Sequence, residues 1–165
     1  MHNDCDRKEK RLKKRFIFSF CVWITFLLTA CSTESLQEDV RRKQEEDIEM
    51  KMNVQIGDYT FAATLEDNAA VDAFAEMMKE ESIVIQMRDY SGFEKVGSLG
   101  RDLPSSDIQM VTKAGDIVLY NGNQIVMFYG SNSWRYTRIG KIDDLSDWEE
   151  ALGSGDVAVT FSIEE

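Results

Sequence analysis

Residues 108–129 read IQMVTKAGDIVLYNGNQIVMFY, and this stretch decides the fold class. Ile108 to Val111, Asp116 to Tyr120 and Gln124 to Tyr129 are short runs rich in β-branched and aromatic residues. Lys113-Ala114-Gly115 and Asn121-Gly122-Asn123 separate them, and Gly130 follows. Gly and Asn tolerate the backbone angles of tight turns, so the pattern predicts strands in quick succession.

The same reading extends in both directions. Downstream, Trp134 to Ile139 is a further strand. Ser146-Asp147-Trp148-Glu149 has the form of a capping box opening a short helix that Gly153 can close. Asp156 to Ile163 is the last strand. Upstream, Met52-Asn53-Val54-Gln55-Ile56 alternates apolar and polar, the period of a half-buried strand. Gly57-Asp58 is a Gly-first hairpin turn, and Tyr59 to Leu65 returns from it. Glu66-Asp67-Asn68 offers side chains to cap the helix AAVDAFAEMMKE, which places Ala70, Phe74, Met77 and Met78 on one face. Ser82 to Arg88 is a third strand. Residues 89–107, DYSGFEKVGSLGRDLPSSD, read as mostly loop and hold the only proline, Pro104. Short strands at close spacing with two short helices predict a mainly β domain, a barrel or a sandwich, over 52–165.

The N-terminus has a different character. Arg7, Lys8, Lys10, Arg11, Lys13, Lys14 and Arg15 precede the uncharged run Phe16 to Thr29, FIFSFCVWITFLLT, and Leu28-Thr29-Ala30-Cys31 follows. A spanning helix needs roughly 20 apolar residues, and a signal-peptide core about 7–15. The run fits the second, with Ala30 as the small residue beside the cut and the Cys31 thiol as the nucleophile that accepts lipid. Residues 1–30 are expected to be a signal peptide resembling those of bacterial lipoproteins. Cys31 is then the lipid attachment site, and the membrane is a partner through that lipid. The location expected is the cell envelope, on the extracytoplasmic side. Residues 31–51 are the lipidated cysteine and a charged tether, STESLQEDVRRKQEEDIEMK, with too few apolar residues for a buried helix face.

The net charge of the chain is −11. Seven of its 19 Lys/Arg and three of its 30 Asp/Glu lie in residues 1–30, leaving a balance of −15 for the rest. Such a surface repels phosphates, so nucleic acid is not an expected partner. Cys5, Cys21 and the sole histidine, His2, all precede Cys31. The mature domain therefore lacks thiol nucleophiles, cysteine metal sites and histidine bases. No cofactor or metal is expected. Asp143-Asp144 and Asp147-Glu149-Glu150 lack the spaced loop of an EF-hand.

An ordered set of short motifs runs through the domain. Phe61-Ala62-Ala63-Thr64-Leu65-Glu66-Asp67-Asn68-Ala69-Ala70 comes first, then Tyr90, Glu94-Lys95, Gly97 and Leu99. Gly115-Asp116-Ile117, Tyr120, Phe128-Tyr129-Gly130 and Arg138-Ile139-Gly140 follow. In this order they resemble the bacterial cyclophilin-like domain family. The resemblance covers about residues 52–165. It implies a closed cyclophilin-like β-barrel of about eight strands with helices over its ends. True cyclophilins are peptidyl-prolyl isomerases, but their Phe-His-Arg-Val type of motif and their histidine are missing here. The resemblance therefore points to a binding domain for a peptide or small molecule more than to an isomerase. A divergent isomerase that works by binding a twisted X-Pro bond stands as the alternative.

Candidate ligand contacts follow from the residue types. Tyr120, Phe128, Tyr129, Trp134 and Tyr136 cluster in the second half of the domain. Neighbours on a strand point to opposite sides, so Phe128 and Tyr129 cannot both face the core. Arg88 or Arg138 is the candidate anchoring cation. Tyr90 and Glu94 sit in the Gly-containing loop, where Glu94 is expected to be exposed beside Lys95. A small barrel is filled by its own side chains, so a ligand is expected on an outer face or at a rim.

Overall fold

The computed structural model describes residues 49–163. The expected signal peptide, Cys31 and most of the tether lie outside the described residues. The elements are β1 (Lys51–Ile56), β2 (Tyr59–Leu65), α1 (Ala69–Glu80), β3 (Ile83–Tyr90), β4 (Glu94–Ser98), β5 (Ile108–Val111), β6 (Asp116–Tyr120), β7 (Gln124–Phe128), β8 (Ser133–Ile142), α2 (Trp148–Leu152) and β9 (Val157–Ile163).

The strands run in the order β2-β1-β9-β3-β4-β7-β6-β8, and β2 pairs back onto β8. That last pairing, Ala63 with Ile142 and Leu65 with Gly140, closes an antiparallel barrel of eight strands. β5 lies outside the ring, paired to β8 alone. Closure needs close approach at Gly140, where a Cβ would stand 2.5 Å from the Thr64 carbonyl oxygen. The domain is the mainly β, closed barrel with two helices that the resemblance implied.

Alternation fills the interior. Met52, Val54 and Ile56 of β1 point inward with Ile85 and Met87 of β3 and Val159 and Phe161 of β9. The helix α1 covers one end, with Ala70, Phe74 and Met78 buried and the Asn68 side chain accepting from the Ala70 and Val71 N–H groups. Trp148, the first residue of α2, is buried edge-on to Phe61, and its indole N–H donates to the Phe128 carbonyl at 2.9 Å. A buried indole needs such a partner.

β6 and β7 differ from the other strands because both their faces are buried. Ile117, Leu119, Ile125 and Met127 belong to the barrel core. Val118, Val126 and Phe128 belong to a second, smaller cluster on the outer face, with Met110 of β5 and Tyr136 of β8. These strands therefore read as unbroken apolar runs.

Several boundaries depart from the sequence expectation. Lys51, assigned to the tether, opens β1, and its ammonium donates to Thr64 at 2.6 Å and Asp143 at 2.9 Å. Residues 89–107 are mostly irregular, as expected, but hold strand at two places: β3 runs on to Tyr90, and β4 occupies Glu94–Ser98. β7 ends at Phe128. The capping box does not form, because Asp144 accepts from both the Ser146 N–H and hydroxyl. Asp147 is the residue before α2, in a left-handed conformation with no side-chain cap bond.

Candidate functional site

The outer face of β3, β4, β7, β6 and β8 carries a cavity of about 380 Å³. It is lined by Tyr90, Glu94, Val96, Tyr120, Gln124, Val126, Asn132, Trp134 and Tyr136. Strand register explains how they meet. Tyr90 opposes Glu94, Val96 opposes Val126, and Tyr120 opposes Gln124. Directly paired residues share a face, so these side chains converge outside the barrel.

Glu94 sits at the base of this site. It is 6% exposed, and its Oε2 has no hydrogen-bond partner among the described residues. Burial pushes its carboxyl up to about 7, against a smaller downward pull from the Asn132 amide. A buried acceptor without a partner is uncommon and costly, and calls for an explanation. Around it the aromatic walls are held in place. Tyr136 is buried edge-on to Phe128 and Tyr120, at ring-centre distances of 5.7 and 5.9 Å. Its hydroxyl accepts from the Asn132 amide at 3.0 Å, and burial followed by the Glu94 charge raises its pKa. Asn132 is fixed in turn by Thr112, through backbone and hydroxyl bonds in both directions. Tyr90 and Trp134 flank the opening and are both more than half exposed.

The eight candidate ligand-binding residues divide. Tyr90, Glu94, Tyr120 and Trp134 line this cavity together. Arg88 lies in an adjoining depression of about 440 Å³ that shares Tyr90, Val96 and Gln124 with it. Phe128 points to the outer face but is fully buried beneath Tyr136 and does not line the site. Tyr129 turns away, and its hydroxyl donates to Asp89. Arg138 is elsewhere, its guanidinium 4.0 Å from Glu66. The expectation of an exposed Glu94 paired with Lys95 is overturned. Adjacent residues on β4 point to opposite sides, and Lys95 enters the barrel.

There Lys95 is fully buried and its ammonium fully used. It donates to Asp89 at 2.8 Å, the Gly153 carbonyl at 2.8 Å and the Gly155 carbonyl at 2.7 Å, with the Tyr129 ring centre 5.3 Å away. The Lys95 and Tyr129 hydrogen bonds hold the Asp89 carboxyl below its ordinary value. Burial and Asp89 push the Tyr129 hydroxyl up to about 12.

Gln124, Asn132 and the two valines carry no functional signal in the sequence. Tyr136 is visible there only as one member of the aromatic cluster.

A small closed barrel with a side-chain-lined cavity on its outer face is the class that fold and site define. A family model described as the cyclophilin-like family matches residues 54–163, and the chain belongs to that family. Among solved structures it is similar to the solution structure of the hypothetical protein AF2241 from Archaeoglobus fulgidus. The two are 14% identical with a TM-score of 0.49, over 71% of this chain and 96% of that one. No curated protein matches the chain.

Proposed function

We propose that this chain is a membrane-tethered lipoprotein whose cyclophilin-like domain binds a small molecule or peptide in the outer-face cavity. The observation that carries the binding half is the cavity itself. It joins an aromatic wall to one buried carboxyl with an unused acceptor, and sites generally combine an apolar lining with a few polar groups. Its position agrees with a barrel whose interior is packed. The tethering half rests on the basic, apolar and Ala-Cys segments before residue 32.

Each half has its own test. Cys31→Ala should accumulate as a heavier precursor that takes up no labelled fatty acid; equal labelling of the variant would overturn the anchor. For the cavity, a fragment library is titrated against the isotope-labelled chain. Binders should shift the Trp134 indole N–H and the Tyr120 and Tyr136 ring resonances together. Binders that move none of the three would place recognition elsewhere.

A further inference from the structure

The cavity has a chemical preference that its lining residues define. Glu94 is the only charged side chain among them; no lysine or arginine of the described residues lines the site. Among the described residues Glu94 Oε2 is buried without a partner, and the Asn132 amide beside it donates to the Tyr136 hydroxyl. Three tyrosines, a tryptophan, Gln124 and Asn132 form the rest of the polar and aromatic wall. Aromatic rings present negative faces, and cations are attracted to them at short range. With Glu94 ionised, the site thus offers negative potential from both its base and its walls, and an acceptor that lacks a donor.

We propose that the cavity around Glu94 takes the protonated amine of a small, apolar amine, with one ammonium N–H donating to Glu94 Oε2 and the aromatic rings packed about the cation. This rests on the reading of the cavity as a ligand site and adds the class of ligand. An anion would meet the Glu94 carboxylate with no counter-charge. A neutral apolar ligand would leave Oε2 buried and unpaired, which is unfavourable. A quaternary ammonium has no N–H to give that oxygen. A volume of about 380 Å³ lies near the lower end for ligand pockets, which favours a compact body. The acidic surface raises the local concentration of cations and so favours encounter.

The test uses phenethylammonium and its neutral counterpart phenethyl alcohol. Each is titrated into the full chain in uncharged detergent and read at the Trp134 indole N–H resonance. The ammonium should bind about tenfold more tightly or better, the scale of a hydrogen bond to a charged group. Glu94→Gln should abolish that preference by weakening the ammonium far more than the alcohol, whose hydroxyl can still donate to the amide oxygen. Trp134→Ala, at an exposed position and read at the Tyr120 and Tyr136 ring resonances, gives a second measure and should weaken the ammonium more than the alcohol. If wild type binds both probes equally, or Glu94→Gln keeps the preference, the amine inference fails and the cavity stands as a ligand site. If neither probe shifts the resonance at millimolar concentration, the inference and the ligand-site reading fail together.

Discussion

Glu94 and Lys95 are neighbours on one short strand, both are buried, and they are treated in opposite ways. Lys95 points into the barrel, where three acceptors and an aromatic ring surround its ammonium. Glu94 points out, into a cavity where one of its oxygens has no donor at all. A buried charge with every hydrogen bond made is part of the architecture: it ties β3, β4 and the segment after α2 together. A buried carboxyl left incomplete stabilises nothing by itself, and it faces an aromatic-walled cavity. The difference separates a structural charge from a recognition group, although sequence spacing presents them as a pair.

The largest effect expected from this contrast is on the Lys95 side. Lys95→Ala removes a fully buried cation and leaves Asp89 and two carbonyls without their shared donor. Breaking a buried ion pair typically costs about 3–5 kcal/mol, and a loss of that size is expected here. Denaturant midpoints at constant slope measure it. The Asp89 carboxyl should also rise toward its ordinary value in the variant, followed by NMR titration. A cost below about 1 kcal/mol, the range of exposed pairs, would mean the Lys95 cluster is ornamental.

Glu94 should show the reverse sign. Its carboxyl rises from an ordinary 4.5 to about 7 on folding. A group with a raised folded-state pKa contributes stability that is full below the unfolded value and is lost as pH climbs through the folded one. Between about pH 4.5 and 7 the wild type should therefore lose stability that Glu94→Gln, which does not ionise, retains. The gap above that window should approach about 3 kcal/mol in favour of the variant, since each tenfold change in acidity on folding corresponds to about 1.4 kcal/mol. Asp89, Asp143 and Asp144 have lowered values, so their contributions change on the acid side of the window. Parallel stability curves for wild type and variant across it would show that Glu94 ionises freely and that the contrast with Lys95 is empty.

The same strand explains what the sequence conceals. Most strands were legible because their inward residues are apolar at every second position, as in Met52, Val54 and Ile56. The Asn121-Gly122 turn was legible because both residues take positive φ, at 52° and 75°. β4 inverts the usual pattern. Its inward residues are Lys95 and Gly97, and its outward ones include Glu94 and Val96, so EKVGS reads as loop. Gly97 is there for close packing, since a Cβ would collide with Ile85 and the Gln86 carbonyl. The aromatic half of the site was legible from composition, and Glu94 from its setting among glycines. Asn132 was not, because its role depends on Thr112, twenty residues away. Phe128 stays out of the cavity for a related reason: alternation gives the side of a strand, and β5 with Tyr136 covers that side.

The smallest stability effect belongs to the rim of the cavity. Trp134 stands on β8 opposite Met110, more than half exposed, and its side chain makes no hydrogen bond among the described residues. Substitutions at such positions usually change stability by less than about 0.5 kcal/mol. Trp134→Ala should therefore leave thermal unfolding nearly where it was. An exposed tryptophan on a wall beside an unpaired carboxyl has its use in the complex, where rigid aromatic surface is gained at little conformational cost. Removing it should weaken ligand binding by a factor that its effect on folding does not foreshadow. The two readings separate cleanly in one experiment, in which melting temperature and affinity are measured on the same variant. A large drop in melting temperature would make Trp134 a cover for Met110 and the outer cluster. Unchanged melting with unchanged affinity would leave the cavity's aromatic wall without a role and reduce the contrast between the two faces of β4 to Glu94 alone.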